Sequence, residues 1–226
     1  MMIISFNNKH MNYNELLILS SFLDPKYDQG PVLVKKSTMV AIPSENTERL
    51  CNLFFQDQDY RYISRKDLFR YYHRNTELFL LAILFWGFPK NRRDRCTAAF
   101  LNWRELVRFV RYLKKKRNLT LDDFTNLIPT LDRMPDLGIS TFSKIFYFCK
   151  VSIDTNPCVI LDSYVVKGIS NLRGDEFEDI MSSVLHQRFL SYHYYPQYLA
   201  AIHQLAGNNS VDSVEYTFWL AGKKER

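Results

Sequence analysis

Pro135–Ile169 reads PDLGISTFSKIFYFCKVSIDTNPCVILDSYVVKGI, and its chemistry divides it into a turn, an apolar helix, a short apolar run and a second helix. Gly138 can take the backbone angles a hairpin needs. Ser140 or Thr141 can cap the free N–H groups of a helix predicted to start near Thr141. From Phe142 to Val151 the residues are mostly apolar, so this helix is expected to be buried on most sides. Lys144 interrupts the run. On a helical wheel it shares a strip with Phe148 and Val151, beside a polar strip of Ser143, Tyr147 and Lys150, so it stands on a border.

Downstream, Cys158-Val159-Ile160-Leu161 is a continuous apolar run, followed by Asp162 and the amphipathic Tyr164–Ile169. Asp162 stands where an N-cap belongs, and capping is its plainest reading. A second reading comes from Lys144, which lies 18 residues earlier behind the same hairpin. Upstream, Thr120-Leu121-Asp122-Asp123 is a capped start for the helix before the turn, with Phe124, Leu127, Ile128, Leu131 and Met134 as its buried residues. Pro129 is expected to kink or break that helix.

These residues resemble the helix-hairpin-helix DNA glycosylases, specifically the 8-oxoguanine DNA glycosylase branch. In that family a hairpin of the type L-P-G-V-G-x-K is followed nearly twenty residues later by V-D at a helix start. Leu137-Gly138-Ile139-Ser140-Thr141 stands for the hairpin, with Ser140 in place of its second glycine, and Leu161-Asp162 stands for the aspartate step. Anchored on Gly138, the family's lysine position falls on Phe142 and Lys144 comes two residues later. Two readings follow: a hairpin longer by two residues with Lys144 as nucleophile, or a glycosylase without a lysine nucleophile. The resemblance runs from Leu127 to Ile169, and VDSVEYTFWLAGK near the C-terminus looks like the closing helix of the same fold. It implies an all-α, mainly helical bundle, as one body or as two lobes with a cleft between them. Residues 1–75 are expected to pack on a core of 76–226 whose hairpin unit spans about 121–151.

A second feature lies outside the hairpin. Phe88-Pro89-Lys90-Asn91-Arg92-Arg93-Asp94-Arg95 is a basic loop, and a long helix is predicted from Ala98 to Lys116. Phe100, Trp103, Val107, Val110 and Leu113 give that helix a core face, while Arg104, Arg108, Arg111 and Lys115 recur at helical spacing on another side. Between Phe88 and Arg117 there are eleven Lys or Arg and two Asp or Glu, an excess of nine in a chain whose net charge is +6. The positive charge is therefore concentrated, as a polyanion-binding surface requires, because each cation that neutralises a phosphate releases counterions. A solvated helix face is the bland alternative.

A length of 226 residues and 46% hydrophobic content allow a sizeable core. No run of eighteen apolar residues occurs, and Met1–Phe6 lacks the basic leader of a signal peptide, so a soluble, intracellular protein is expected, nucleoid-associated in a bacterial cell. Cys51, Cys96, Cys149 and Cys158 form no C-x-x-C pair and are expected to be buried reduced thiols. With no cysteine after Cys158, the C-terminal iron–sulfur loop of some related glycosylases is excluded. The five histidines have no zinc-site spacing, and no metal or cofactor is expected. Helices are also predicted over Tyr13–Leu23, Ser44–Phe55, Leu68–His73 (behind a Ser64 cap), Thr76–Trp86, Gly174–His186, Tyr194–Ala206 and Asp212–Leu220, with Val32-Leu33-Val34 as extended chain. Phe189, Tyr192, Tyr194, Tyr195 and Tyr198 are candidates for stacking on an extruded base, or for core and rim packing.

The resemblance implies excision of a damaged or modified base from double-stranded DNA by a monomeric enzyme. An ionised Asp162 would stabilise positive charge on the sugar as the N-glycosidic bond breaks, or orient a nucleophile. In the first reading of the hairpin Lys144 would attack the sugar and form a Schiff base, permitting strand cleavage; in the second Asp162 would assist attack by water. Burial against Phe148 and Val151 would favour the lysine's neutral form. Gly138, Ser140 and Thr141 would hold the DNA backbone at a helix N-terminus, and Lys90, Arg92, Arg93, Arg95, Arg104, Arg108 and Arg111 would grip the strand. Two other classes stay open: a DNA-binding protein of this fold without catalysis, and a helical module whose basic helix meets an acidic partner.

Overall fold

The computed structural model describes residues 12–40, 42, 44–88, 93–134, 137–171 and 192–223. In chain order its helices are α1 (Tyr13–Ser21), α2 (Pro25–Asp28), α3 (Lys36–Val40), α4 (Thr47–Phe55), α5 (Arg65–Tyr71), α6 (Thr76–Gly87), α7 (Arg93–Leu101), α8 (Trp103–Lys115), α9 (Leu121–Asp132), α10 (Ile139–Phe148), α11 (Ser163–Ser170), α12 (Tyr195–Ala206) and α13 (Val211–Gly222). The strands are short: β1 (Val32–Lys35), β2 (Tyr60–Ile63), β3 (Asn118–Leu119), β4 (Ser152–Ile153) and β5 (Asn156–Pro157). The fold is mainly helical, as the sequence implied. The chain forms two compact units, residues 26–158, and residues 1–25 with 159–226. The expected boundary at residue 75 falls inside the first of these.

In the 26–158 unit, α6 is the hub. Phe79 to Trp86 are all buried, so the helix has no solvent face, and α4, α5, α8, α10 and β1 pack around it. Phe54 meets Phe85 edge to face at 4.7 Å, and Phe55 stacks on Phe85 at 6.1 Å. Glu77, in the first turn of α6, accepts two hydrogen bonds from Arg49 of α4 at 2.9 Å and one from Trp103 Nε1 of α8 at 2.8 Å. The Arg49 guanidinium holds the Glu77 carboxyl below the usual carboxylate range.

Local signals explain most helix ends. Ser64 and Asp67 form the capping box expected for α5, and Thr120 with Asp123 does the same for α9. Ser44 is not the cap of α4. The helix starts at Thr47, and the Ser44 hydroxyl accepts from the Asn46 N–H at 3.3 Å. The single helix predicted from Ala98 to Lys116 is two helices, α7 and α8, divided at Asn102. There the Asn102 side-chain amide donates to the Ala98 carbonyl at 2.8 Å and the backbone moves to φ −95, ψ 20. Pro129, expected to kink or break α9, lies inside it without ending it. Pro129 and Thr125 are both exposed, so water can satisfy the Thr125 carbonyl that loses its helical donor.

The turn before α10 also departs from expectation. Gly138 is extended (φ −86, ψ −176) and serves as the N-cap without a side-chain bond, so α10 begins at Ile139 rather than near Thr141. Every residue of α10 except Ser140 is buried. Phe109 meets Phe142 at 5.7 Å and Phe146 at 5.9 Å, Phe124 meets Phe146 at 5.8 Å, and Trp86 meets Phe148 at 5.4 Å. Ser143 and Tyr147, read as a polar strip, are therefore inside, and the Tyr147 hydroxyl accepts from Arg65 Nε at 3.1 Å. After α10, β4 and β5 pair through a two-residue turn in which Asp154 and Thr155 have positive φ. Asp154 Oδ1 accepts the Leu121 N–H at 2.9 Å, which ties this hairpin to the start of α9.

In the unit of residues 1–25 and 159–226, Val159–Leu161 is buried and belongs to no helix or strand. Its carbonyls find side-chain donors: Tyr195 Oη donates to Val159 O at 2.7 Å and Tyr198 Oη to Ile160 O at 3.0 Å. α11 and α13 cross in backbone contact. A Cβ on Gly168 would collide with the Phe218 carbonyl, and one on Gly222 with the Tyr164 carbonyl. α1 packs on α13, and Ser213 Oγ donates to Leu23 O at 2.6 Å. The helix predicted over Gly174–His186 lies outside the described residues.

All four cysteines are free and buried. Burial pushes the Cys96 and Cys149 thiols up to about 12. No described helix is long and apolar enough to cross a membrane, and among the described residues no group of His, Cys, Asp or Glu is placed to hold a metal ion.

Candidate DNA-processing site

Lys144 lies one turn into α10 and is 4% exposed, so it is a core residue, not the border residue its wheel position suggested. Its Nζ donates to Ser140 O at 2.8 Å and lies 3.1 Å from Ser140 Oγ. Its stem crosses the end of α6 at Gly87, where a Cβ would come within 3.0 Å of Lys144 Cδ. Gly87 thus has a spatial role beyond ending a helix. The sequence carried it only as a stop signal, because the contact joins residues 57 positions apart.

The N-terminus of α10 is adjacent. The backbone N–H groups of Ile139 and Ser140 have no acceptor among the described residues, as is usual in a first helical turn. Gly138 is exposed and Ser140 half-buried, so both are accessible to a ligand. Thr141 leaves the expected contact set: its side chain is 2% exposed, its N–H is bonded to Gly138 O at 2.9 Å, and its hydroxyl has no partner among the described residues. The start of α10 at Ile139 turns Thr141 inward. Ser140 therefore connects the helix N-terminus to the Lys144 amine.

Asp162 belongs to the other compact unit. It is half-buried and is the N-cap of α11, with Oδ1 accepting from Tyr164 N at 3.0 Å and Val165 N at 3.2 Å. Its position is fixed from both sides. The Tyr195 and Tyr198 hydroxyls hold the chain leading into it, and the glycine contact with α13 holds the helix leading away. Tyr195 and Tyr198 are fully buried in that task, and Tyr192 is also buried, so these members of the aromatic cluster are packing residues. Tyr194 is half-buried, and Phe189 lies outside the described residues.

Arg104, Arg108 and Arg111 are all exposed along α8, as the stripe predicts, and none forms an ion pair with a described residue. Their opposite face buries Trp103, Leu106, Val107, Val110 and Leu113. Lys114 leaves the solvent face, with Nζ donating to Tyr72 O at 2.7 Å, and Lys116 pairs with Asp123. Arg93 and Arg95 are on α7, but their side chains lie outside the described residues, as do Lys90 and Arg92 altogether. The arrangement offers a free helix N-terminus for phosphate, a buried amine behind it and a cationic helix face.

A family model described as "Putative 8-oxoguanine DNA glycosylase OGG-like protein" matches residues 26–219. No curated protein and no solved structure matches the chain.

Proposed function

The chain belongs to the 8-oxoguanine DNA glycosylase OGG-like family, and on that premise we propose that it is a monomeric DNA glycosylase. It removes a damaged or modified base from double-stranded DNA by cleaving the N-glycosidic bond. The observation that carries this reading is the extent of the family match, residues 26–219, which takes in Lys144, Asp162 and the α8 stripe together.

In this reading the arginines of α8 hold the phosphates of one strand, and a backbone phosphate caps the free N–H groups of Ile139 and Ser140. The target nucleotide leaves the stack, because its glycosidic bond is out of reach inside a duplex. As that bond breaks, positive charge develops on the sugar, and the Asp162 carboxylate stabilises it. Lys144 attacks the sugar carbon as the base departs, giving a Schiff base whose later elimination cuts the strand. Its burial supports this role, since the packed stem and the bond to Ser140 O fix where the amine lies.

The capping bonds of Asp162 favour a second reading, a DNA-binding protein of the same fold without catalysis. One experiment decides between them. Purified protein is incubated with duplexes carrying oxidised, alkylated, deaminated or hypermodified bases, abasic sites are scored, and covalent complexes are trapped with borohydride. The proposal expects excision of at least one lesion class, loss of excision with retained duplex binding in Asp162→Asn, and loss of trapping in Lys144→Gln. Duplex binding with no abasic product from any lesion would leave the non-catalytic reading. Trapping that survives Lys144→Gln would move the nucleophile elsewhere.

A further inference from the structure

α11 and α13 present an aromatic face beside Asp162, within one compact unit. The crossing at Gly168 and Gly222 brings the two helices into backbone contact, so side chains at its edge meet. Tyr164 is 42% exposed, and its ring stands edge to face with that of the half-buried Trp219, 5.9 Å away. Trp219 is backed by the buried Tyr216, which stacks on it at 5.6 Å. Each of the two outer rings carries a cation. Lys167 Nζ lies 5.9 Å from the Tyr164 centroid and Lys223 Nζ 4.7 Å from that of Trp219. Neither lysine forms an ion pair with a described residue. α11 has no acid, and the two acids of α13, Asp212 and the buried Glu215, both precede Trp219. α12 has none, and Glu15 of α1 accepts from Asn12 N at 3.0 Å in its own cap. Among the described residues the face is therefore aromatic and positive.

We propose that Tyr164, supported by Trp219, stacks on the base next to the target in the lesion strand, while Lys167 and Lys223 hold phosphates of that strand. This placement rests on the excision reading, in which the target sugar meets Asp162. The Tyr164 N–H donates to Asp162 Oδ1 at 3.0 Å, so the phenol ring belongs beside the nucleotide that the carboxylate serves. An aromatic ring accepts any base, because every base has a π-face, and cations next to it follow the backbone. A base to be excised needs a pocket that encloses it. The Tyr164 ring is open to solvent and suits a base that stays in the strand. Once the target has left the stack, its neighbour has lost a stacking partner, and the tyrosine replaces it.

The test measures fluorescence anisotropy of the full chain with two labelled duplexes of one sequence, one intact and one carrying a tetrahydrofuran abasic-site analogue. The analogue has no base and cannot be excised, so a stacking loss on it comes from a neighbour. Tyr164→Ala should weaken binding to the analogue duplex roughly tenfold and change little on the intact duplex, whose bases keep their own partners. Tyr164→Phe should bind as the parent does, because the ring is kept, and circular dichroism of both variants should match the parent. Lys167→Gln with Lys223→Gln should lower the salt slope on the analogue duplex by roughly 2, close to 0.9 per lost phosphate contact. An unchanged slope overturns the phosphate assignment. A folded Tyr164→Ala protein that binds the analogue as the parent does, or that weakens equally on both duplexes, overturns the stacking. Absence of excision from every lesion class, with the Tyr164 effect intact, would sink the glycosylase reading and keep the stacking beside a vacated position.

Discussion

Among the described glycines of the 26–158 unit, Gly87 alone has a neighbour within 4 Å of where a Cβ would stand. Its missing Cβ is what lets the Lys144 stem run across the end of α6, so a methyl group there must push the lysine aside. Gly87→Ala is expected to cost about 1 kcal/mol or less in denaturant unfolding, because a side chain can shift by tenths of an ångström. If Lys144 is the nucleophile, the same change should lower the single-turnover excision rate tenfold or more, since small misplacements of a reacting group are costly. An unchanged rate would argue that the Lys144 position is not critical to the reaction. At this scale the sequence was readable where a signal is local. Ser64, Thr120 and Asp162 cap helices as their neighbours imply. It was not readable where a position depends on distant chain. The wheel set Lys144, Ser143 and Tyr147 at or beside a polar border, but every residue of α10 after Ser140 is buried, so the body of the helix has no polar face.

At the scale of elements, two contacts govern the candidate site. The α11–α13 crossing brings backbone against backbone at Gly168 and Gly222, and a Cβ at either would meet main-chain atoms that have no room to give. Gly168→Ala or Gly222→Ala should therefore destabilise by about 3 kcal/mol or more, at the upper end of overpacking costs. In a chain of 226 residues that corresponds to a Tm lower by roughly 6 °C or more, read by calorimetry. The second is the α8 stripe. Replacing Arg104, Arg108 and Arg111 together with Gln should reduce the salt dependence of duplex binding by a slope of roughly 3, close to 0.9 per lost phosphate contact. Lesion preference should stay the same. An unchanged slope would show the stripe to be a solvated surface only. The stripe's period was visible in the sequence, but the division at Asn102 was not. Asparagine is tolerated within helices, and only the bond from its side chain to Ala98 O marks the break.

For the molecule as a whole, helical content and buried thiols followed from composition, whereas the division into units did not. Residues 1–25 join 159–226 through contacts such as Ser213 with Leu23, 190 positions apart, which no local pattern announces. Acid stability follows from the same long-range bonding. The Glu77 carboxyl, held low first by its bonds to Arg49, is bonded to groups on two other helices. A carboxyl with a depressed native pKa contributes stability above its unfolded value and loses it as pH falls through the native one. The Tm advantage of the parent over Glu77→Gln should thus be full at pH 7 and shrink steadily below about pH 4.5. A gap that stays constant to pH 3 would remove Glu77 from the acid response. The phenol bonds from α12 have a consequence of another kind. Because Val159 and Ile160 are anchored one by one to hydroxyls spaced three apart on a helix, an inserted or deleted residue between Ile160 and Asp162 would displace the carboxylate along the chain with no slippage to absorb it. Natural length variation in this lineage should therefore spare that three-residue interval, whatever it does to the loops elsewhere.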